Sequence, residues 1–224
     1  SFKLHFTKGR ACVTSIDKLS NGITVVTETM PYLRSAAFGV WVKVGSANEN
    51  EENNGIAHMI EHMLFKGTKN RTAKQLADDM SKIGGNMNAF TSKECTSYYA
   101  TVLSEHLPMA INIIGDMLNN SLIDEKALRK EKGVILEEIG MYEDSPEDLG
   151  HDLLQKKVWD GHPLGYIISG KKTTVRKIGR QQILDFMDNH YTGENIIISI
   201  AGNFDKKEIL SLVEDEFGKI KPKS

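Results

Sequence analysis

Short runs with an apolar residue at every second position alternate along the chain with longer runs whose apolar residues recur three and four apart, the periods of strands and helices. Residues 22–28 (GITVVTE) and 36–45 (AAFGVWVKVG) read as neighbouring strands joined through a turn at Pro31. A polar stretch, 48–54 (NENEENN), ends where Asn54 is placed to cap a helix from about Gly55 to Phe65. A second helix fits 73–83, with Thr72 and Gln75 spaced as a capping box and Gly84 and Gly85 as its stop. Strands fit 86–91 and 96–103. From Glu105 the period turns helical, over 105–118, 125–142, 146–158 and 180–190, with Asp124, Ser145 and Gly179 at the starts and Pro146 in a first turn. A strand at 196–201, a helix at 206–217 and a basic tail, KIKPKS, close the chain. This order is mixed rather than regularly alternating. The expected fold class is α+β, a mixed, mainly antiparallel sheet packed against several helices.

A chain of 224 residues can bury a core without disulfides or a structural metal. With 28 Lys+Arg against 30 Asp+Glu and the bases scattered, neither nucleic acid nor an anionic membrane is expected as a partner. Cys12 and Cys95 are too few for a disulfide framework or zinc ribbon, which suits a reducing compartment. No apolar run approaches the ~20 residues of a membrane span, and no hydrophobic signal core opens the chain, so neither membrane insertion nor export is expected. Lys3, Lys8 and Arg10, with no acid before Asp17, read either as the remainder of an organelle presequence or as a variable or appended N-terminus. The domain is accordingly expected to run over 16–224, with 1–15 outside it.

The chemistry concentrates at residues 58–62, His-Met-Ile-Glu-His. On a helix these positions share a face, so His58 and His62 can offer two imidazole nitrogens to one ion with Glu61 beside it. This inverse of the commoner zincin order is known among metallopeptidases. Histidine pairs on helices are also often merely solvated or hydrogen-bonded, and a catalytic zinc asks for a third ligand. Helix 125–142 offers one. With Glu131 at zero and about 100° per residue, Leu128, Val134, Ile135, Glu138 and Ile139 fall between about −60° and +80°. Glu137 projects at about 240°, beside Lys126 and Lys130, where a solvated ion-pair face explains it. Two carboxylates on an apolar face are costly unless a metal, a hydrogen bond or a counter-charge compensates them. Glu138 is therefore the favoured ligand, while Glu131 reads either as a hydrogen-bonded helix carboxylate or as support for the ligands. Such a donor set suits zinc, and also manganese, cobalt or non-haem iron. His106, His151, His162 and His190 fall in no ligand pattern, and Cys95 reads as a small buried hydrophobe in a strand.

Six segments in order, LSNGITVVTE, GVWVKVGSANE, GIAHMIEHMLFKGT, GGNMNAFTSKECTSYYATVL, EKGVILEEIGMYEDSPED and NIIISIAGNFD, resemble the inverzincin metallopeptidases of the pitrilysin, insulin-degrading enzyme and mitochondrial processing peptidase group. The likeness covers nearly the whole chain from Asp17 and is nearest in flavour to bacterial processing-peptidase-like members. It implies one Zn2+ per chain held by His58, His62 and Glu138, with Glu61 as general base and Glu131 as a supporting catalytic carboxylate. It also implies that NMNAFT is an edge strand taking up an extended peptide through Asn88, Ala89 and Phe90; a strand paired on both sides is the alternative. Phe65 and Phe90 read either as borders of a side-chain pocket or as core.

By the same resemblance the chain is the N-terminal, zinc-bearing half of a two-half clamshell. The other half, in one longer chain or as a partner subunit, carries an Arg-Tyr pair that binds substrate, and no place for that pair is found here. A shortened chain, a fragment or a half-size subunit, pairing even with its own copy, each fits the length. The implied activity is zinc-dependent endopeptidase action on peptides or unfolded segments, in a bacterial cytoplasm or else a mitochondrial matrix. A non-catalytic peptide-binding or assembly subunit is the competing reading, against which the intact His58, Glu61, His62 and Glu138 argue.

Overall fold

The computed structural model describes residues 13–222. Six strands form one sheet: β1 (Val13–Lys18), β2 (Thr24–Thr29), β3 (Ser35–Val42), β4 (Asn86–Thr91), β5 (Thr96–Leu103) and β6 (Ile196–Gly202), in the order β1-β2-β6-β3-β5-β4. Only the β2–β6 pair is parallel. The α+β class and the mainly antiparallel sheet are thus as the sequence pattern predicts. Among the described residues β4 pairs with β5 alone, so it is an edge strand of this sheet.

Strand alternation separates the sheet's two faces. Val25, Ile198, Val40, Tyr98 and Ala89 are register partners in one row across it, and the first four are fully or almost fully buried. Beneath this face lie α1 (Ile56–Leu64), α3 (Leu107–Asn120) and α7 (Arg180–His190), each contributing buried apolar residues to a continuous core. The opposite face carries a groove of about 380 Å3 lined by Trp41, Phe90, Tyr99, Thr101 and Ser199. There Phe90 packs edge-on against Trp41 at 5.8 Å, and the Trp41 indole donates to Ser199 Oγ.

The remaining helices are α2 (Ala73–Lys82), α4 (Glu125–Glu143), α5 (Pro146–Val158), α6 (Lys172–Lys177) and α8 (Lys206–Phe217). The capping box of α2 is present, Gln75 N–H to Thr72 Oγ1 and Thr72 N–H to Gln75 Oε1, and Gly84 takes the left-handed stop at φ 63°. Asp124 and Ser145 cap α4 and α5.

Three expectations are revised. Asn54 does not cap α1: Gly55 intervenes at φ 97°, and the Glu49 carboxylate reaches the first-turn N–H groups instead. β1 and α6 carry too little periodic signal to be read, a short strand with Ile16 exposed at the sheet edge and a six-residue helix anchored on Val175. Because β1 starts at Val13, residues 13–15 belong to the sheet, while 1–12, with Lys3, Lys8, Arg10 and Cys12, lie outside the described residues. Cys95 is half-buried in the β4–β5 turn, its N–H donating to Ser92 Oγ.

The loop after α1 is pinned by Asp116 of α3, which is 3% exposed. It accepts from Thr68 Oγ1, Asn70 Nδ2, Arg71 and Asn120 Nδ2 at 2.6–2.8 Å. Removing a buried charge's partner leaves the rest uncompensated, so Asp116→Ala is expected to lower the unfolding free energy by about 3 kcal/mol in urea titration. A loss under about 0.5 kcal/mol, the range of an ordinary surface change, would contradict this account of the loop.

Candidate metal centre

Two helices bring the chemistry together. α1 presents His58, Glu61 and His62 from one face because these positions lie within four residues. α4 packs across it, burying Leu128, Glu131, Ile135 and Ile139. A strained step precedes α4: Ile123, β-branched, sits at φ 43°, and Arg180 grips the carbonyls of Leu122 and Ile123.

His58 Nε2 and His62 Nε2 lie 3.8 and 3.7 Å from Glu138 Oε2, and the three side chains offer donor atoms within 4.8 Å of one another. These separations are too long for hydrogen bonds. They suit three atoms sharing one ion: bonds of about 2.0–2.2 Å in a tetrahedral site separate ligands by about 3.4 Å. The protonation state of His58 agrees. Burial, followed by the charge of His62, lowers His58 to about 4, which leaves it a neutral lone-pair donor at pH 7. Its Nδ1 is buried with no hydrogen-bond partner.

Glu131 reaches the back of His62. Its Oε1 lies 2.8 Å from His62 Nδ1, and its Oε2 pairs with Lys66 Nζ at 2.7 Å. Glu131 thus engages the His62 nitrogen opposite the one that faces Glu138. Both Glu131 oxygens are thus engaged, one by His62 and one by Lys66. Glu137, the neighbour of Glu138, is exposed, as the helical wheel indicates, but so is Val134, because α4 is covered along a narrower stripe than its apolar pattern suggests.

Glu61 stands beside the ligands. Its Oε2 accepts from Thr91 Oγ1 at 2.5 Å, and the Thr91 backbone N–H also reaches the carboxylate. Burial raises its pKa and Glu138 adds to the rise, while the Thr91 bonds and His62 oppose it. The result is a carboxylate readier than usual to take up a proton.

A pocket of about 350 Å3 opens over this group, with Ala89, Phe90 and Thr91 of β4 on one side and Asp148, His151 and Asp152 of α5 on another. These α5 residues and Thr91 were silent in the sequence: no spacing links α5 to α1, and only packing brings them together. His151 thus joins the site's wall without joining the ligand set. Phe65 lines one pocket, with Leu76 and Met87, while Phe90 lines the pocket over the donor set.

Fold and site together define an α+β peptidase-type domain with a two-histidine, one-glutamate donor set on crossed helices. The family model described as Insulinase (Peptidase family M16) matches residues 24–172, and that described as Peptidase M16 inactive domain matches 177–224. The chain belongs to the M16 peptidase family. The donor set and Glu61 all fall in the first match. An uncharacterized zinc protease of Bacillus subtilis, YmxG, is 45% identical over 203 residues, 91% of this chain and 49% of that protein. The mitochondrial-processing peptidase subunit beta of Blastocladiella emersonii is 39% identical over 207 residues, 92% of this chain and 44% of that one. The chain spans about half the length of these relatives. Among solved structures, a protease from Helicobacter pylori superposes with a TM-score of 0.89 at 25% identity, covering 94% of this chain and 51% of the other. Pitrilysin superposes at 0.86 and 24% identity, over 98% of this chain and 24% of pitrilysin, a likeness of fold.

Glu131→Gln keeps the size of the side chain but weakens its hold on the imidazole, so zinc affinity is expected to fall about 10- to 100-fold in chelator competition. Unchanged affinity in the folded variant would remove Glu131 from the site.

Proposed function

We propose that the chain is the zinc-bearing half of a metalloendopeptidase that hydrolyses extended peptides. The observation that carries this is the convergence of His58, His62 and Glu138 beside Glu61 at the outer rim of an edge strand. Zinc is favoured over other metals by the His2Glu set and by the zinc proteases among the relatives. When bound, the ion supplies Lewis acidity, polarising the scissile carbonyl and making a water easier to deprotonate.

Glu61 takes the proton of the attacking water and delivers it to the leaving amine, a task for which its raised pKa suits it. The Thr91 hydroxyl fixes Oε2 of Glu61. Glu131 steadies His62.

β4 binds the substrate backbone. The Ala89 N–H donates to its own neighbour's side chain, Asn88 Oδ1 at 2.9 Å, and so is turned away from β5. Thr91, two residues on, points its N–H the same way and meets Glu61. A peptide added along this edge replaces the Asn88 amide at Ala89 and runs directly past the general base. Main-chain pairing tolerates many sequences, and Asp148 and Asp152 on the opposite wall favour a basic side chain. The second half of the clamshell, as a partner or a longer chain, closes over the bound peptide.

Two outcomes test this in the protein assembled with its second half. Glu61→Gln is expected to retain zinc and lose hydrolysis by at least about 100-fold, the usual worth of a general base; retained turnover would sink the reading. Ala89→Pro removes one outward donor without touching the β5 ladder, and is expected to lower kcat/KM by about tenfold. Unaltered kinetics for that variant would rule out strand addition at β4.

A further inference from the structure

Glu49 is a charged side chain for which the proposed chemistry has no use, yet it is only 4% exposed. Its oxygens accept three hydrogen bonds: Oε2 from the Gly55 N–H and Asn54 Nδ2, both at 2.8 Å, and Oε1 from the Ala57 N–H at 2.9 Å. Burial pushes its carboxyl up to about 7, with these donors and nearby Lys93 pulling the other way. Holding a carboxylate in such a place is costly unless its bonds hold something in return.

What it holds is the start of the metal helix. The first N–H groups of any α-helix lack partners within it, and Gly55 has no side chain to supply one. Glu49 satisfies two of them, placing negative charge at the positive end of the α1 dipole, and His58 follows Ala57 directly. Asn54 extends the grip. Its side-chain amide also donates to the Ile167 carbonyl at 3.0 Å, and its backbone carbonyl accepts from Thr174 Oγ1 at 2.7 Å. Gly170, at φ 82°, packs so closely that a Cβ would meet Asn54 O at 2.6 Å. Ile167 and Ser169, just before it, line the metal pocket. One carboxylate thus ties the α1 start to the pocket wall.

We propose that Glu49 is a positioning residue for the metal centre: by clamping the Gly55 and Ala57 N–H groups and the Asn54 amide, it fixes the α1 orientation in which His58 and His62 meet Glu138. The proposal rests on the zinc reading above. It assigns Glu49 a role through α1, with no contact to metal or substrate.

The test is zinc affinity of the full chain by chelator competition, for wild type, Glu49→Gln and Val213→Ala. The last is a buried α8 substitution that serves as a control for general destabilisation. Glu49→Gln is expected to fold and to bind zinc at least about tenfold more weakly, with shifted visible bands in its cobalt-substituted form. Val213→Ala is expected to melt earlier with affinity and bands unchanged. A folded Glu49→Gln chain within about twofold of wild type, a difference under 0.5 kcal/mol, overturns the proposal. If that variant does not fold, hydrogen exchange on the wild-type chain decides. Coupling is reciprocal, so zinc is expected to raise protection at the Gly55 and Ala57 amides and over 167–170. Equal protection with and without zinc overturns the role of Glu49 alone. A wild-type chain that takes up no zinc overturns the metal reading and, with it, this proposal.

Discussion

The Glu131–His62 hydrogen bond joins the two helices on which everything else depends. A carboxylate on the apolar face of α4 is tolerable only if its charge is compensated, and here His62 Nδ1 and Lys66 Nζ share that task. The bond fixes which nitrogen of His62 is free. It also sets the azimuth of α4 against α1, and Glu138, two turns further along α4, follows from that azimuth. The donor triangle therefore follows from the way α1 and α4 pack.

The same frame sets the edge strand beside Glu61. β4 lies at the sheet edge beside α1, and Thr91 turns both its hydroxyl and its N–H towards Glu61. An extended chain that follows the sheet's own hydrogen-bonding direction is thereby carried past the carboxylate. The pocket wall arrives from another direction, through α5 and the segment around Ile167, and Asn54 links that segment to the start of α1.

What the sequence disclosed was whatever repeats with a local period. His58, Glu61 and His62 were legible because four residues of helix suffice to align them, and Glu138 was separable from Glu137 because one residue of rotation is 100°. The capping box of α2 and the glycine stop after it were legible for the same local reason. What stayed hidden depends on contacts between distant segments. Glu49 caps a helix that starts seven residues later across a left-handed glycine, and Asn54, the apparent cap, serves elsewhere. No local pattern singles out Asp148, His151 and Asp152 until α5 is set against the metal pocket. Val134 misled in the other direction, since periodicity records the width of an apolar stripe and not how much of it is covered.

The central claim is that His58, His62 and Glu138 hold one zinc ion. It is tested most directly by zinc X-ray absorption on the metal-loaded chain together with native mass. The account predicts one zinc per chain, with two imidazole nitrogens and oxygen ligands at about 2.0–2.2 Å. Absence of zinc from the chain, or a bound ion with fewer than two imidazoles in its coordination shell, would contradict it.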